Sequence, residues 1–298
     1  FTTQANISSG TIAVTGVGTT INPLGTATTL TNNFTLPALI TGRVTFVVPS
    51  TSSTVLNGTI TGGVASPDPT GTGGTEFFFQ GGAGGQNTGA LTLNGDNTGW
   101  LGTLNIQRGP LLLGNASAAG STVLRFDSNL PAAGVIQFTN SFTLANRIHL
   151  NSGTVNPIGV GGALTGTLSN VISSNGMLAI SKVGTGTLIL TGANTYSGGT
   201  TVSAGTLQIG NGGTAGSFST GTVTNNATLA FNRSDSVLID NVLAGPGNFN
   251  QIGTGTTTLT AANTFTGPLN VSNGTLALGA SSTLATNVIN ANGGIFDV

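Results

Sequence analysis

The chain has 298 residues, six of them basic and seven acidic, for a net charge of −1, and it has no cysteine. Six dispersed cations cannot displace the counterions of a nucleic acid or build a polybasic membrane patch, and without thiols there is no disulfide framework or thiolate metal site. A hydrophobic content of 37% with so few charges also departs from the low-hydrophobicity, high-charge composition of disordered chains.

The first residue is Phe1 rather than Met, which points to a mature chain whose targeting peptide has been removed. No apolar run reaches the ~18 residues of a spanning helix. Helix formers such as Glu and Lys are nearly absent, and Gly and Thr interrupt every stretch. Residues 1–20 read as a strand-like arm that alternates over Thr11–Thr15. Phe1, Ile12 and Val14 are candidates there to complete the sheet of a neighbouring copy. Residues 1–80 as a whole are less regular than the rest and form an arm, cap or docking region. Near their end, Phe77, Phe78 and Phe79 stand between two glycine-rich stretches. Three consecutive rings put at least one on each face of a strand. The segment is therefore buried on both faces, or it offers a ring to another subunit.

Residues 81–298 carry short strands with period-two alternation, at Thr103–Ile106, Thr187–Thr191 and Thr206–Ile209. Clusters of Gly, Asn and Ser separate them. An internal repeat organises this part. Lys182–Gly210 and Gln251–Gly279 align without a gap at an offset of 69, with 16 of 29 positions identical, and Gly89–Gly114 is a weaker third copy. The repeat regions extend over about 89–114, 170–212 and 241–279. Positions that stay apolar between copies mark the inward face: Leu190, Tyr196, Val202, Leu207 and Ile209 in one, Leu259, Phe265, Val271, Leu276 and Leu278 in the other. Within strands they lie two apart, the spacing of one face. Gln208 against Ala277 and Ile189 against Thr258 mark outward positions. The shared glycines Gly184, Gly186, Gly198, Gly205 and Gly210 fall between strands, as corners that need positive φ or close backbone approach. Three short strands per coil predict an all-β parallel β-helix, a β-solenoid whose core comes from stacking. The runner-up is a β-sandwich with hairpins at Asn57-Gly58, Asn94-Gly95 and Asn273-Gly274.

Chemistry-bearing residues are sparse. His149, the single histidine, alternates with Ile148 and Leu150 and is expected on the outer, solvated face beside Arg147, outside any Ser-His-Asp arrangement. Arg233 with Asp235 and Asp240, and Arg125 with Asp127, are the densest charged groups. They read as corner residues that keep an edge soluble, rather than as the carboxylate pair of a polysaccharide-cleaving enzyme. The glycine-rich stretches lack the lysine of a phosphate loop. No catalytic, cofactor-binding or metal site is expected.

The segment Gly184–Gly212, GTGTLILTGANTYSGGTTVSAGTLQIGNG, resembles the autotransporter passenger-associated β-strand repeat. The lead-ins Asn170–Gly184 and Asn241–Gly253 are similar to those of that family. The resemblance implies a right-handed parallel β-helix, secreted or held at the bacterial cell surface, often in adhesins and without catalysis in the repeat. The sequence ends at Val298 with no segment for an outer-membrane barrel, so a passenger fragment and a free secreted subunit are both open. The last coil ends in apolar Ile295, Phe296 and Val298 without a charged cap, and a solenoid exposes strand edges at its ends. These features predict a non-enzymatic structural subunit that assembles with copies of itself, end to end, into a filament or surface layer. The alternative is an adhesin-type passenger that binds a surface or a glycan, with Trp100 and Tyr196 as stacking platforms. Neither a nucleic-acid partner nor a membrane span is expected.

Overall fold

A computed structural model shows an all-β parallel β-solenoid. It describes residues 11–13, 19–21, 27–36, 42–49, 52–81, 89–127, 134–286 and 288–298. Strands are two to seven residues long, because Gly, Asn and Ser recur too often for longer ones. They stack in parallel register, as Thr187–Leu190 does on Thr206–Ile209 and Thr256–Leu259 on Thr275–Leu278. Parallel stacking excludes the sandwich. Asn57-Gly58, Asn94-Gly95 and Asn273-Gly274 are coil corners whose flanking strands lie in different sheets, not hairpins.

The chain divides into two compact units. The first comprises Phe1–Pro157 with Ser173–Asn175. Its described N-terminal strands are part of stacked coils: Thr11–Ala13 pairs with Asn33–Leu36, which sets Ile12 opposite Phe34. Phe1 and Val14 lie outside the described residues. The strand Thr75–Gly81 sits between Gly42–Val48 and Thr103–Arg108. Phe77 and Phe79 point inward, and Trp100 meets the Phe77 ring edge-on at 5.3 Å. Phe78 is on the opposite face, with the Arg43 guanidinium 3.9 Å above its ring. All three phenylalanines are buried, so none of these rings is free on the surface.

The second unit comprises Ile158–Ile172 with Gly176–Val298 and holds the two strong repeat copies. Every inward position named above is buried except Leu278, which is half-buried near the last coil. Each such side chain contributes roughly 1.5–3 kcal/mol by leaving water. Phe231, Phe249 and Phe265 stack at 5.0 and 5.4 Å through successive coils. Ile189, on the outward face, is nevertheless buried. Corner glycines are fixed by crowding: at Gly205 (φ +67°) and Gly274 (φ +59°) a Cβ would lie 2.4 and 2.3 Å from a carbonyl oxygen of the preceding coil.

The two copies do not occupy the same faces. In the first, Ala179–Val183 and Thr200–Val202 lie in one sheet and Thr187–Leu190 and Thr206–Ile209 in the next. In the second, the equivalents of the former pair, Asn248–Gln251 and Leu269–Val271, have moved into that next sheet. The equivalents of the latter pair, Thr256–Leu259 and Thr275–Leu278, occupy a third. The 69-residue offset is thus three coils plus one face.

Candidate binding site

Polar side chains in the second unit serve mostly to tie coils together. Asn194 Oδ1 accepts from the Ile172 N–H at 2.9 Å and its Nδ2 donates to the Ser217 carbonyl at 2.8 Å. Asn263, its repeat equivalent, accepts from the Leu243 N–H at 2.9 Å and donates to the Ala261 carbonyl. Tyr196 is wholly buried, and its hydroxyl lies 2.6 Å from Thr200 Oγ1. Burial pushes its phenol up to about 12. Trp100 is also buried. The two aromatics expected as stacking platforms are therefore core residues.

Next to the first copy the surface opens. Between Thr206–Ile209 and Val223–Asn225 the chain makes a long glycine-rich excursion, and Ser236–Ile239 then begins a new sheet, pairing among the described residues with Thr256–Leu259 alone. The mismatch leaves a recess of about 360 Å³, lined by Asn194, Thr195, Phe218, Thr220, Leu238 and Asp240 among others. This volume is in the range of small-ligand sites. Leu238 is 71% exposed at its rim. The charged trio expected here divides. Arg233 grips Asp235 through Nε–Oδ1 at 2.9 Å and Nη2–Oδ2 at 2.7 Å and also donates to the Gly216 carbonyl. The Arg233 hydrogen bonds hold the Asp235 carboxyl below the usual range. Asp240 is exposed, lines the recess, and is in no ion pair among the described residues. The recess escaped sequence reasoning because it arises where a strand face starts late, which no local pattern encodes.

His149 corrects an expectation. It does lie on the outer face, in register with Arg125, which is in register with Asn105. Yet its exposure is only 2% and that of Asn105 is 0%. A strap of residues 63–74 lies over this face. Thr103 Oγ1 donates to the Gly71 carbonyl at 2.7 Å, and Asp68 within the strap is held by Thr70 and Thr72, which keep its carboxyl well below the usual range. His149 Nδ1 lies 2.9 Å from Ser173 Oγ, while its Nε2, Arg125 Nε and both Asn105 amide atoms have no partner among the described residues. Burial, reinforced by Arg125, holds the imidazole below its ordinary value, and Asp68 opposes this. Arg125 itself reaches Glu76 at 3.4 Å and Asp127 at 3.6 Å.

At the far end, Ile295 and Val298 are exposed and Phe296 is half-buried. Ile295–Asp297 pairs with Thr275–Leu278. Its open edge accepts a further coil of one polypeptide as readily as a second copy, so it does not by itself favour a filament.

Residues 180–209 and 249–278 match the passenger-associated-transport-repeat family. The chain carries two passenger-associated-transport repeats. It is also 37% identical over 119 residues to the adhesin BmaC autotransporter of Brucella suis biovar 1 (strain 1330). That stretch is 39% of this chain and 3% of the relative's length, so the chain spans a small part of the protein it matches. The first passenger-associated-transport repeat supplies Asn194, Thr195 and Ile209 to the recess. None of the residues that line the recess belongs to the second repeat, whose coils carry the third sheet from Thr256 onward.

Proposed function

We propose that this chain is a displayed segment of a bacterial surface passenger of the adhesin type, secreted or held at the cell surface, and that it works without catalysis. The observation that carries the reading is the pair of transport repeats on stacked coils, together with the similarity to an autotransporter adhesin. A solenoid suits display, because each coil contacts only its neighbours and the stack extends without a new core design. The recess beside Asp240 is the contact surface in this reading. The non-catalytic part is supported by Asp235, whose carboxyl is occupied by Arg233, and by His149, which is 2% exposed. The test is display of the full chain on a non-adherent bacterium, fused to an autotransporter barrel, with bound cells counted on host-cell monolayers. Adherence above a barrel-only control is expected, and it falls in the Leu238→Ser/Asp240→Asn variant. Adherence equal to the barrel alone overturns the reading.

A further inference from the structure

We infer that the recess receives a lysine or arginine side chain of a partner protein. The inference deepens the adhesive reading by naming the chemistry of the contact. The floor of the recess has few donors left. The Asn194 amide is spent on the Ile172 N–H and the Ser217 carbonyl, and Asn241 Nδ2 donates to the Ser219 and Gly221 carbonyls at 2.7 and 2.6 Å. What remains toward the opening is the Asp240 carboxylate, an obligate acceptor when ionised, with hydroxyls at Thr195, Ser219 and Thr220 that can also accept. A group that donates hydrogen bonds can meet every one of these acceptors, the carboxylate included.

Charge sets its sign. Asp240 is the one charged residue among the lining side chains. Arg233, on the same stretch of chain, is already held by Asp235 and the Gly216 carbonyl, so it does not neutralise Asp240. An exposed, uncompensated carboxylate attracts a cation. The rim sets the rest of the ligand. Leu238 and Asp240 are two apart, both exposed, on the outward face of one extended stretch, and Phe218 and Ile239 add apolar wall. A side chain with an aliphatic stem and a cationic head covers the leucine while its head reaches the carboxylate. Such an interaction is weak singly and screened by salt. Many copies of the chain displayed on one cell make it effective through avidity.

The experiment uses the full chain with ¹³C-labelled leucine methyls and three five-carbon probes: n-pentylammonium chloride, 1-pentanol and sodium valerate. The ammonium is expected to shift the Leu238 methyl resonances saturably, with pentanol binding about tenfold more weakly and valerate not at all. Asp240→Asn, at an exposed position, weakens the ammonium about tenfold, and added salt weakens it further. Equal shifts from pentanol, full affinity in Asp240→Asn, no shift up to about 50 mM, or shifts of the same methyls by neutral D-galactose each overturn the inference. Amine binding without cell adherence would instead overturn the adhesive role alone, and adherence without amine binding would overturn only this assignment of the ligand.

Discussion

Between the two repeat copies, buried polar residues change in matched sets. Tyr196 and Thr200 share a hydrogen bond in the core of the first, and both are replaced by apolar residues, Phe265 and Leu269, in the second. A buried hydroxyl left without its partner costs about 1–3 kcal/mol, whereas replacing both partners can be nearly neutral. Tyr196→Phe alone is therefore expected to destabilise by about 1–2 kcal/mol. Adding Thr200→Val should recover part of that loss, since the Ser219 backbone still lacks its bond to the Tyr196 hydroxyl, with a coupling of at least about 0.5 kcal/mol in a double-mutant cycle followed by urea denaturation. Simple additivity of the two changes would show that the pair is not a unit. The comparison of copies made such inward positions readable from sequence, because a residue that stays apolar at period two declares its face. His149 was not readable in this way. Its alternation places it outward, yet it is 2% exposed, and local periodicity carries no information about what distant parts of the chain lay over that face. Asn105, wholly buried with both amide atoms unpartnered among the described residues, gives no signal for the same reason.

At the scale of the coil, the recurring device is a cradle of backbone carbonyls at the corner after an inward strand. In the first copy Lys182, with no exposed surface, donates from Nζ to the Val183, Gly184 and Ala204 carbonyls at 3.1, 2.6 and 2.9 Å. In the second copy Gln251 does the same work, its Nε2 donating to the Gly253 and Gly255 carbonyls at 2.9 and 3.3 Å and its Oε1 accepting from Thr257. The corner demands a donor, not a charge. Burial accordingly pulls the Lys182 ammonium down to about 8, while an unfolded lysine titrates near 10.4. Between these values the unfolded chain holds a proton that the folded chain has released, so this residue makes stability rise with pH across that window. Thermal melts from pH 7.5 to 9.5 are expected to show the rise, and Lys182→Gln should remain folded and flatten it. The upper limit matters, because unfolded tyrosines ionise near 10 while buried Tyr196 resists, which lowers stability above that pH. A melting temperature that is flat or falling over this window would show that the three carbonyls hold the ammonium against burial. The sequence alignment located position 182 and its partner, yet the rotation of the copies by one face was hidden, since an offset of 69 carries no mark of how many residues each coil consumes.

For the whole chain, the scarcity of charge is answered by amides. Asn250, Asn270 and Asn290 hydrogen-bond in series at 2.8 and 2.9 Å in the second unit, and Asp127, Asn151 and Asn175 do so at 2.7 and 2.9 Å in the first. Such ladders keep the outer faces polar with few charges, and they repeat with the coil, so the fold depends on register between neighbours more than on any one residue. Stability of this kind is a sum over coils and their interfaces. Thr206 and Thr228 are register partners one coil apart. Deleting residues 207–228 joins Thr206 to Leu229 and restores the same inward-outward alternation with one coil fewer. The shortened chain is expected to keep its β-sheet circular dichroism and a cooperative melt. Deleting only residues 207–217 puts the following strands on the wrong faces and should abolish both. The full-coil deletion also removes Phe218 and Thr220 from the recess, so the shortened, folded chain should no longer bind pentylammonium. If it still binds, the contact is not at the recess, and if both deletions fold equally well, coil register is not what holds the second unit together.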